Sequence, residues 1–147
     1  HLSDGMKNTL LRMRAEHSSR HAFGEAAYIG LDEVEGRLSN AAEATQDAVH
    51  PVIIKHPLSG KSALYVNGEF TVKFEGWSKE ESQPLLDYLY SHAYKNEFTC
   101  RFKWTQGSVA IWDNRATQHC ALNDYDGEQR LMHQITVNGD CLEPSRS

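Results

Sequence analysis

Two kinds of hydrophobic spacing occur along the 147-residue chain, and the change between them divides it into segments. Apolar residues recur every three to four positions from Ser3 to about residue 20 and again over residues 32–49, which predicts two helices. Ser3 is expected to cap the first helix and Pro51 to end the second. Residues 22–31 contain two glycines and no clear period, which indicates a loop.

After Pro51 the period changes to two, which is typical of short strands with one buried face. Asn67-Gly68 is a strong hairpin signal between two of these strands. Ser78-Lys79-Glu80-Glu81 is a capping box and predicts a helix inserted among them. The predicted strands cover residues 52–54, 63–66, 70–74, 98–104, 109–112 and 129–137.

This order of elements indicates the fold class. Helices followed by a run of short strands with one inserted helix are typical of an α+β chain with an antiparallel jelly-roll sheet. Several turns are too short for parallel crossovers, which disfavours a doubly wound fold. The length suits one domain of ordinary size.

Composition narrows the classes of function. A hydrophobic content of 39% and a charged content of 24% are those of a globular chain. A net charge of -5 without a Lys/Arg-rich run argues against a nucleic-acid partner. No apolar run is long enough to span a membrane, and the three cysteines show no CxxC spacing. We therefore expect a reduced, cytoplasmic protein.

Most of the eight histidines lack a pattern that indicates a metal. His17, His21 and Glu25 are four residues apart, but the glutamate of HExxH is missing and Gly24 is expected to end the helix first. A solvated helix face is the favoured interpretation. Four other histidines are interpreted as structural or surface residues: His1, His50, His56 and His92.

His119 and Arg130 are stronger candidates. His119 follows a polar and aromatic stretch that leaves a predicted strand, where a sheet can hold a metal ligand rigidly; a hydrogen-bonded structural histidine is the alternative. Arg130 begins a predicted strand whose period places it on one face with Gln134. It could clamp an anion, or form a surface salt bridge.

The string Trp112-Asp113-Asn114-Arg115-Ala116-Thr117-Gln118-His119, followed by Arg130-Leu131-Met132-His133, closely resembles the C-terminal signature of the taurine and 2,4-D dioxygenase (TauD/TfdA) family. Upstream matches include His50-Pro51-Val52, His56-Pro57, Val66-Asn67 and Phe70-Thr71. The resemblance spans most of residues 15–140. It implies a partial double-stranded β-helix, a jelly roll of the clavaminate-synthase type, with flanking helices.

The resemblance also implies a cofactor and roles for particular residues. In this family iron(II) is held by a His-x-Asp pair and one distant His, and 2-oxoglutarate is the cosubstrate. By motif match His119 is the distant ligand, and Arg130 clamps the far carboxylate of 2-oxoglutarate. Phe70 and Phe23 match aromatic positions near the substrate. Trp112 and Asn114 are interpreted as support for the site.

Two departures from the family pattern change the expectation. No His-x-Asp or His-x-Glu occurs in the sequence, so no complete catalytic set can be assigned. Residues 1–147 are therefore expected to be the C-terminal part of a single dioxygenase domain, with the paired ligands upstream. Taurine-specific members carry an arginine where this chain has Gln134. An amide cannot neutralise a sulfonate, so Gln134 disfavours taurine as the substrate.

The expected function is oxidation of a small organic molecule, with 2-oxoglutarate decarboxylation coupled to hydroxylation at iron(II) by dioxygen. The alternative is a non-catalytic fragment or a degenerate jelly-roll binding module, which absence of the His-x-Asp pair favours. A cupin-like structural or sugar-binding domain leaves the Trp112–His119 string unexplained. Unpaired strand edges would favour a homo-oligomer or other self-association.

Overall fold

The computed structural model describes residues 2–20, 47–122, 127 and 131–146. Within these ranges the regular elements are two α-helices, six strands and one short 3₁₀ helix at Asn96–Phe98. In chain order the helices and strands are α1 (Asp4–Leu10), β1 (Arg14–Ser18), β2 (Asp47–Pro51), β3 (Ile53–Lys55), β4 (Ser62–Leu64), β5 (Thr71–Phe74), α2 (Lys79–Ala93) and β6 (Glu143–Pro144).

The first predicted helix is confirmed at its start and wrong at its end. The Ser3 side chain accepts a hydrogen bond from the Met6 backbone N–H, and the helix ends at Leu10. Residues 14–18 form β1 instead, in which Ala15 and His17 are buried on one face. β1 is paired with a strand on each side, so its backbone N–H and C=O groups have partners. These tertiary contacts outweigh the local preference for a helix that the spacing of apolar residues indicates.

The first sheet has the strand order β2-β1-β5 and is antiparallel throughout. Ala15 lies opposite His50 on one side and Phe74 on the other. The predicted helix over residues 32–49 is therefore wrong for residues 47–49, which pair with β1 as part of β2. The rest of that prediction lies outside the described residues, as does the predicted loop over 22–31.

The second sheet has the order β4-β3-β6, again antiparallel. Ile54 lies opposite Ala63 in β4 and opposite Pro144 in β6. The β3–β4 hairpin turns at Gly60, whose φ of 69° lies in the left-handed region that glycine adopts at little cost. The strands predicted near residues 52–54 and 63–66 are confirmed as β3 and β4.

The turn predicted at Asn67-Gly68 exists, but the hairpin is wrong. The Asn67 side-chain oxygen accepts hydrogen bonds from the backbone N–H groups of Glu69 and Phe70. β4 before this turn and β5 after it belong to different sheets. A turn held by the asparagine side chain does not need the left-handed backbone of a two-residue hairpin, so it can redirect the chain from one sheet to the other.

The capping box is confirmed and starts α2. The Ser78 hydroxyl accepts from the Glu81 N–H, and the Glu81 carboxylate accepts from the Ser78 N–H. α2 buries Leu86 and Leu89, and Ser82 receives a hydrogen bond from the Phe74 backbone N–H. The core that these elements enclose consists of Leu10, Ala15, Val52, Ile53, Val66, Phe74, Leu86 and Leu89.

The C-terminal strand predictions fail in the described residues. Neither residues 98–104 nor 109–112 form strands, and residues 131–137 have no regular structure. A strand needs a neighbour for its backbone N–H and C=O groups, and no paired neighbour lies beside these stretches among the described residues. The alternation of polar and apolar residues in the sequence did not indicate whether such a neighbouring strand exists. The α+β class with antiparallel sheets is confirmed.

Among the helices in the described part of the chain, none is both long and apolar enough to cross a bilayer.

Candidate functional site

The polar string before His119 is organised around the carboxylate of Asp113. Arg115 donates from Nε to Oδ1 at 2.8 Å and from Nη2 to Oδ2 at 2.6 Å, a two-pronged charge-assisted pair. The Arg115 backbone N–H donates to Oδ1 as well, at 2.9 Å. These hydrogen bonds from Arg115, with a smaller one from His56, hold the pKa of Asp113 well below its usual range. Asp113 is therefore ionised at neutral pH.

His56 joins this carboxylate to the second sheet. Its Nε2 lies 3.0 Å from Asp113 Oδ2, although 57 residues separate the two in sequence. The Ser59 backbone N–H donates to His56 Nδ1 at 3.2 Å. Because Nδ1 accepts that bond, the proton of a neutral imidazole resides on Nε2 and points to Asp113. The His56 side chain is only 13% exposed.

A short turn carries the chain from Asp113 towards His119. The backbone N–H groups of Ala116 and Thr117 both donate to the Asp113 carbonyl. The Trp112 indole N–H donates to Asn114 Oδ1 at 2.9 Å, and its ring lies 4.8 Å from the His119 ring, centroid to centroid. His119 is exposed and packs against this indole.

The residue before His119 makes a second link to the core. Gln118 Nε2 donates to the Val66 carbonyl at 3.1 Å, 52 residues away in sequence. Val66 is buried and lies four positions before Phe70, which is half-buried. The structure thus brings the His119 segment against the connection between β4 and β5, where Phe70 lies.

The other predicted site residues are not assembled in this way. Gln134 is exposed and lies outside any regular element. Arg130 and Phe23 lie outside the described residues, so the shared face predicted for Arg130 and Gln134 stays a prediction.

An iron site requires more than the described residues provide. His119 offers an imidazole nitrogen that no described hydrogen bond occupies, which suits a metal ligand. However, the described part of the chain contains no group of three His, Cys, Asp or Glu side chains placed to hold a metal ion. The described residues by themselves do not form a complete iron site, and one neutral imidazole holds iron(II) weakly.

Two further histidines, His17 and His50, lie close together in the first sheet. His17 and His50 have ring centroids 5.4 Å apart, and the Tyr65 ring lies 5.6 Å from each. The Thr71 hydroxyl lies 3.3 Å from His17 Nδ1, whereas Nε2 is buried without a hydrogen-bond partner. Burial, with a smaller effect of His50, lowers the pKa of His17 to about 4. Both interpretations of His17, the favoured solvated helix face and the metal-binding helix face, are wrong, because His17 lies in a strand and is buried.

The roles of Asp113, Arg115 and Gln118 were not predicted from the sequence. The one available signal was the pair of opposite charges two residues apart at the end of an apolar stretch. His56, which was predicted to be a structural or surface histidine, is a structural one, and no local pattern indicated its partner Asp113.

Comparisons with known proteins identify the family to which the chain belongs. The sequence profile of the taurine catabolism dioxygenase TauD, TfdA family matches residues 1–136. The chain therefore belongs to this family. It is 35% identical over 140 residues to an alkylsulfatase of Acinetobacter baylyi, covering 95% of this chain and 44% of that protein. It is 32% identical to an alpha-ketoglutarate-dependent sulfonate dioxygenase of Saccharomyces cerevisiae, covering 97% of this chain and 33% of that protein.

Solved structures of related proteins support the same family membership. A taurine dioxygenase from Burkholderia xenovorans superimposes with a TM-score of 0.59 at 32% identity, over 78% of this chain and 33% of that one. In each of these comparisons the chain spans less than half the length of its relative.

Proposed function

We propose that the whole protein is an iron(II)- and 2-oxoglutarate-dependent dioxygenase that hydroxylates a small organic molecule. Residues 1–147 would form the C-terminal part of its single domain, a partial jelly roll. Iron and 2-oxoglutarate supply the oxidising chemistry when bound. The observation that carries the proposal is the Trp112–His119 segment, which presents an exposed imidazole from a hydrogen-bonded turn.

Each candidate residue of this chain has a separate task. His119 would give one nitrogen to the metal, and the other protein ligands would come from the remainder of the domain. Arg130 would clamp the far carboxylate of 2-oxoglutarate through its guanidinium fork. Phe70 and Phe23 would line the substrate cavity.

Gln134 bears on the substrate. Relatives named for their substrates include a sulfonate dioxygenase and, at 44% identity over 91 residues, a sulfate ester dioxygenase of Pseudomonas putida. A sulfonate buried beside Gln134 would meet an amide without charge, and an unpaired buried charge costs several kcal/mol. We infer that the substrate is neutral at this end or carries its anion elsewhere. The competing possibility is that a basic residue from the rest of the domain replaces the family arginine.

The test starts with an anaerobic titration of the complete protein with iron(II) and 2-oxoglutarate, followed by the visible absorption of their complex. We expect the absorption in the wild type and its loss in His119→Ala. His133→Ala, which changes an exposed histidine outside the motif match for metal ligands, is the control and should retain it. The 147-residue chain alone should show none. A strong absorption with His119→Ala would contradict the assignment of His119 as a metal ligand. A strong absorption with the 147-residue chain alone would contradict the proposal that the other ligands come from the rest of the domain.

Succinate release then measures substrate preference in the same protein. Taurine and other sulfonates are compared with neutral analogues, in the wild type and in Gln134→Arg. We expect neutral substrates to be preferred by the wild type and sulfonate turnover to rise in the variant. Efficient taurine turnover with Gln134 intact would overturn the specificity proposal. No succinate with any substrate, despite iron binding, would favour a degenerate binding module.

A further inference from the structure

The segment that carries His119 has an unusual means of attachment. Residues 99–122 contain turns but no helix or strand. A ligand on a strand is placed by a ladder of backbone hydrogen bonds, and that ladder is missing here. The position of His119 must therefore be set by side chains.

Two side-chain hydrogen bonds connect this segment to the second sheet and the connection that follows it. One joins His56 Nε2 to Asp113 Oδ2 at 3.0 Å, the other joins Gln118 Nε2 to the Val66 carbonyl at 3.1 Å, and both are partly buried. They hold the segment at both ends of the stretch that leads to His119. A single attachment would leave the segment free to pivot, whereas two attachments fix its direction.

We propose that His56 is a positioning residue for His119 and acts through Asp113. This inference rests on the proposed function for its importance, although the attachment itself needs no metal. His56 is held by the Ser59 N–H, and Asp113 is held by Arg115. A continuous series of hydrogen bonds thus runs from the β3–β4 turn to the turn at residues 113–117.

The experiment uses the whole chain, ¹⁵N-labelled and with labelled histidine, and compares two tryptophans by NMR. Trp112 reports on the segment, because its indole N–H bonds to Asn114 and its ring contacts His119. Trp77 reports on the core, because its ring packs 5.4 Å from that of Phe74. In His56→Leu we expect the Trp112 and His119 signals to move towards unstructured positions, and exchange of the Trp112 indole proton to quicken roughly tenfold. The Trp77 signal should not move.

Rescue and control variants separate positioning from general stability. His56→Gln retains an N–H donor that can reach Asp113 and should restore the Trp112 signal. Ser59→Ala removes a hydroxyl that lies 3.1 Å from His56 Nδ1 but keeps the backbone N–H that donates to the same atom, so it should disturb the Trp112 signal much less than His56→Leu does. If His56→Leu is unfolded, His56→Asn, which is too short to reach Asp113, provides the same comparison.

An unmoved Trp112 signal in His56→Leu would overturn the proposal. So would loss of the Trp77 signal in both His56→Leu and His56→Asn, because His56 would then stabilise the whole fold. The outcome is independent of the function test. If Trp112 is unmoved while His119→Ala still abolishes the iron absorption, the dioxygenase proposal stands and this inference falls.

Discussion

The core region (residues 2–20 and 47–93) and the motif region (residues 96–122 and 131–137) are built in different ways. Every buried hydrophobic residue of the described chain lies in the core region, between Leu10 and Leu89. In the motif region the large apolar side chains are exposed, with Ile111 at 94% and Ile135 at 89%. Apolar burial therefore stabilises one region, and hydrogen bonds between polar side chains hold the other.

The comparison shows that the segment most specific to the family contributes least to the core. Most of the large apolar side chains that are exposed among the described residues lie in this motif region. Burial of these side chains against another part of the domain, or against a second copy of the chain, would account for so many apolar groups in one region.

The largest expected effect comes from deleting core volume. Phe74 is fully buried between β1 and α2, so Phe74→Ala should lower the free energy of unfolding by about 3–5 kcal/mol. Ile111→Ala, the matched deletion in the motif region, should change it by less than about 0.5 kcal/mol. Urea denaturation followed by circular dichroism measures both. Equal losses would show that the two regions share one core.

Acid should weaken the core region through its buried imidazoles. The pKa of His17 in the folded chain, about 4, is below its ordinary value of 6.5, so folding favours the neutral ring. The resulting stabilisation is present above pH 6.5 and is lost as the pH falls through 4. His50, whose pKa burial and Arg14 also lower, acts in the same direction. Urea midpoints between pH 7.5 and 4 should fall steeply in the wild type.

The variant His17→Phe removes the titrating ring and should flatten that profile. His133→Gln, a change at an exposed position of the motif region, should leave the profile unaltered. An unchanged slope in His17→Phe would mean that other groups cause the acid sensitivity.

The smallest effect concerns a helix end in the core region. Ser78→Ala removes the hydroxyl that accepts the Glu81 N–H and should cost about 1 kcal/mol of unfolding free energy. Ser108→Ala, in the motif region, removes a hydroxyl that binds Thr105 in an exposed turn and should cost less. A larger loss from Ser108 would contradict the division between the regions.

Local signals explain which parts of the fold could be predicted from the sequence. α2 has its capping box and its leucines within one continuous stretch, and it formed as expected. β1 was missed because it forms only by pairing with β2, which lies about thirty residues later in the chain, and with β5. The Asn67-Gly68 turn was found but its topology was not, since turn chemistry does not determine which strands pair.

The candidate site shows the same limit. His119 was identifiable because the string around it is specific to a family. The bond between His56 and Asp113 was not, because 57 residues separate two side chains that only the fold brings together. Arg130 and Phe23 remain predictions from the motif match.

The pairing of β6 with β3 has a consequence for the order of folding. Ile54 and Pro144 become neighbours, and the Ser145 N–H donates to the Ile53 carbonyl, although some ninety residues lie between them. Closing so long a loop costs entropy that a two-residue pairing cannot repay early. The β3–β4 hairpin and α2 should therefore form first, and β6 should dock last. The motif region lies between α2 and β6 in the sequence. When β6 pairs with β3, this region therefore becomes part of a loop that is closed at both ends.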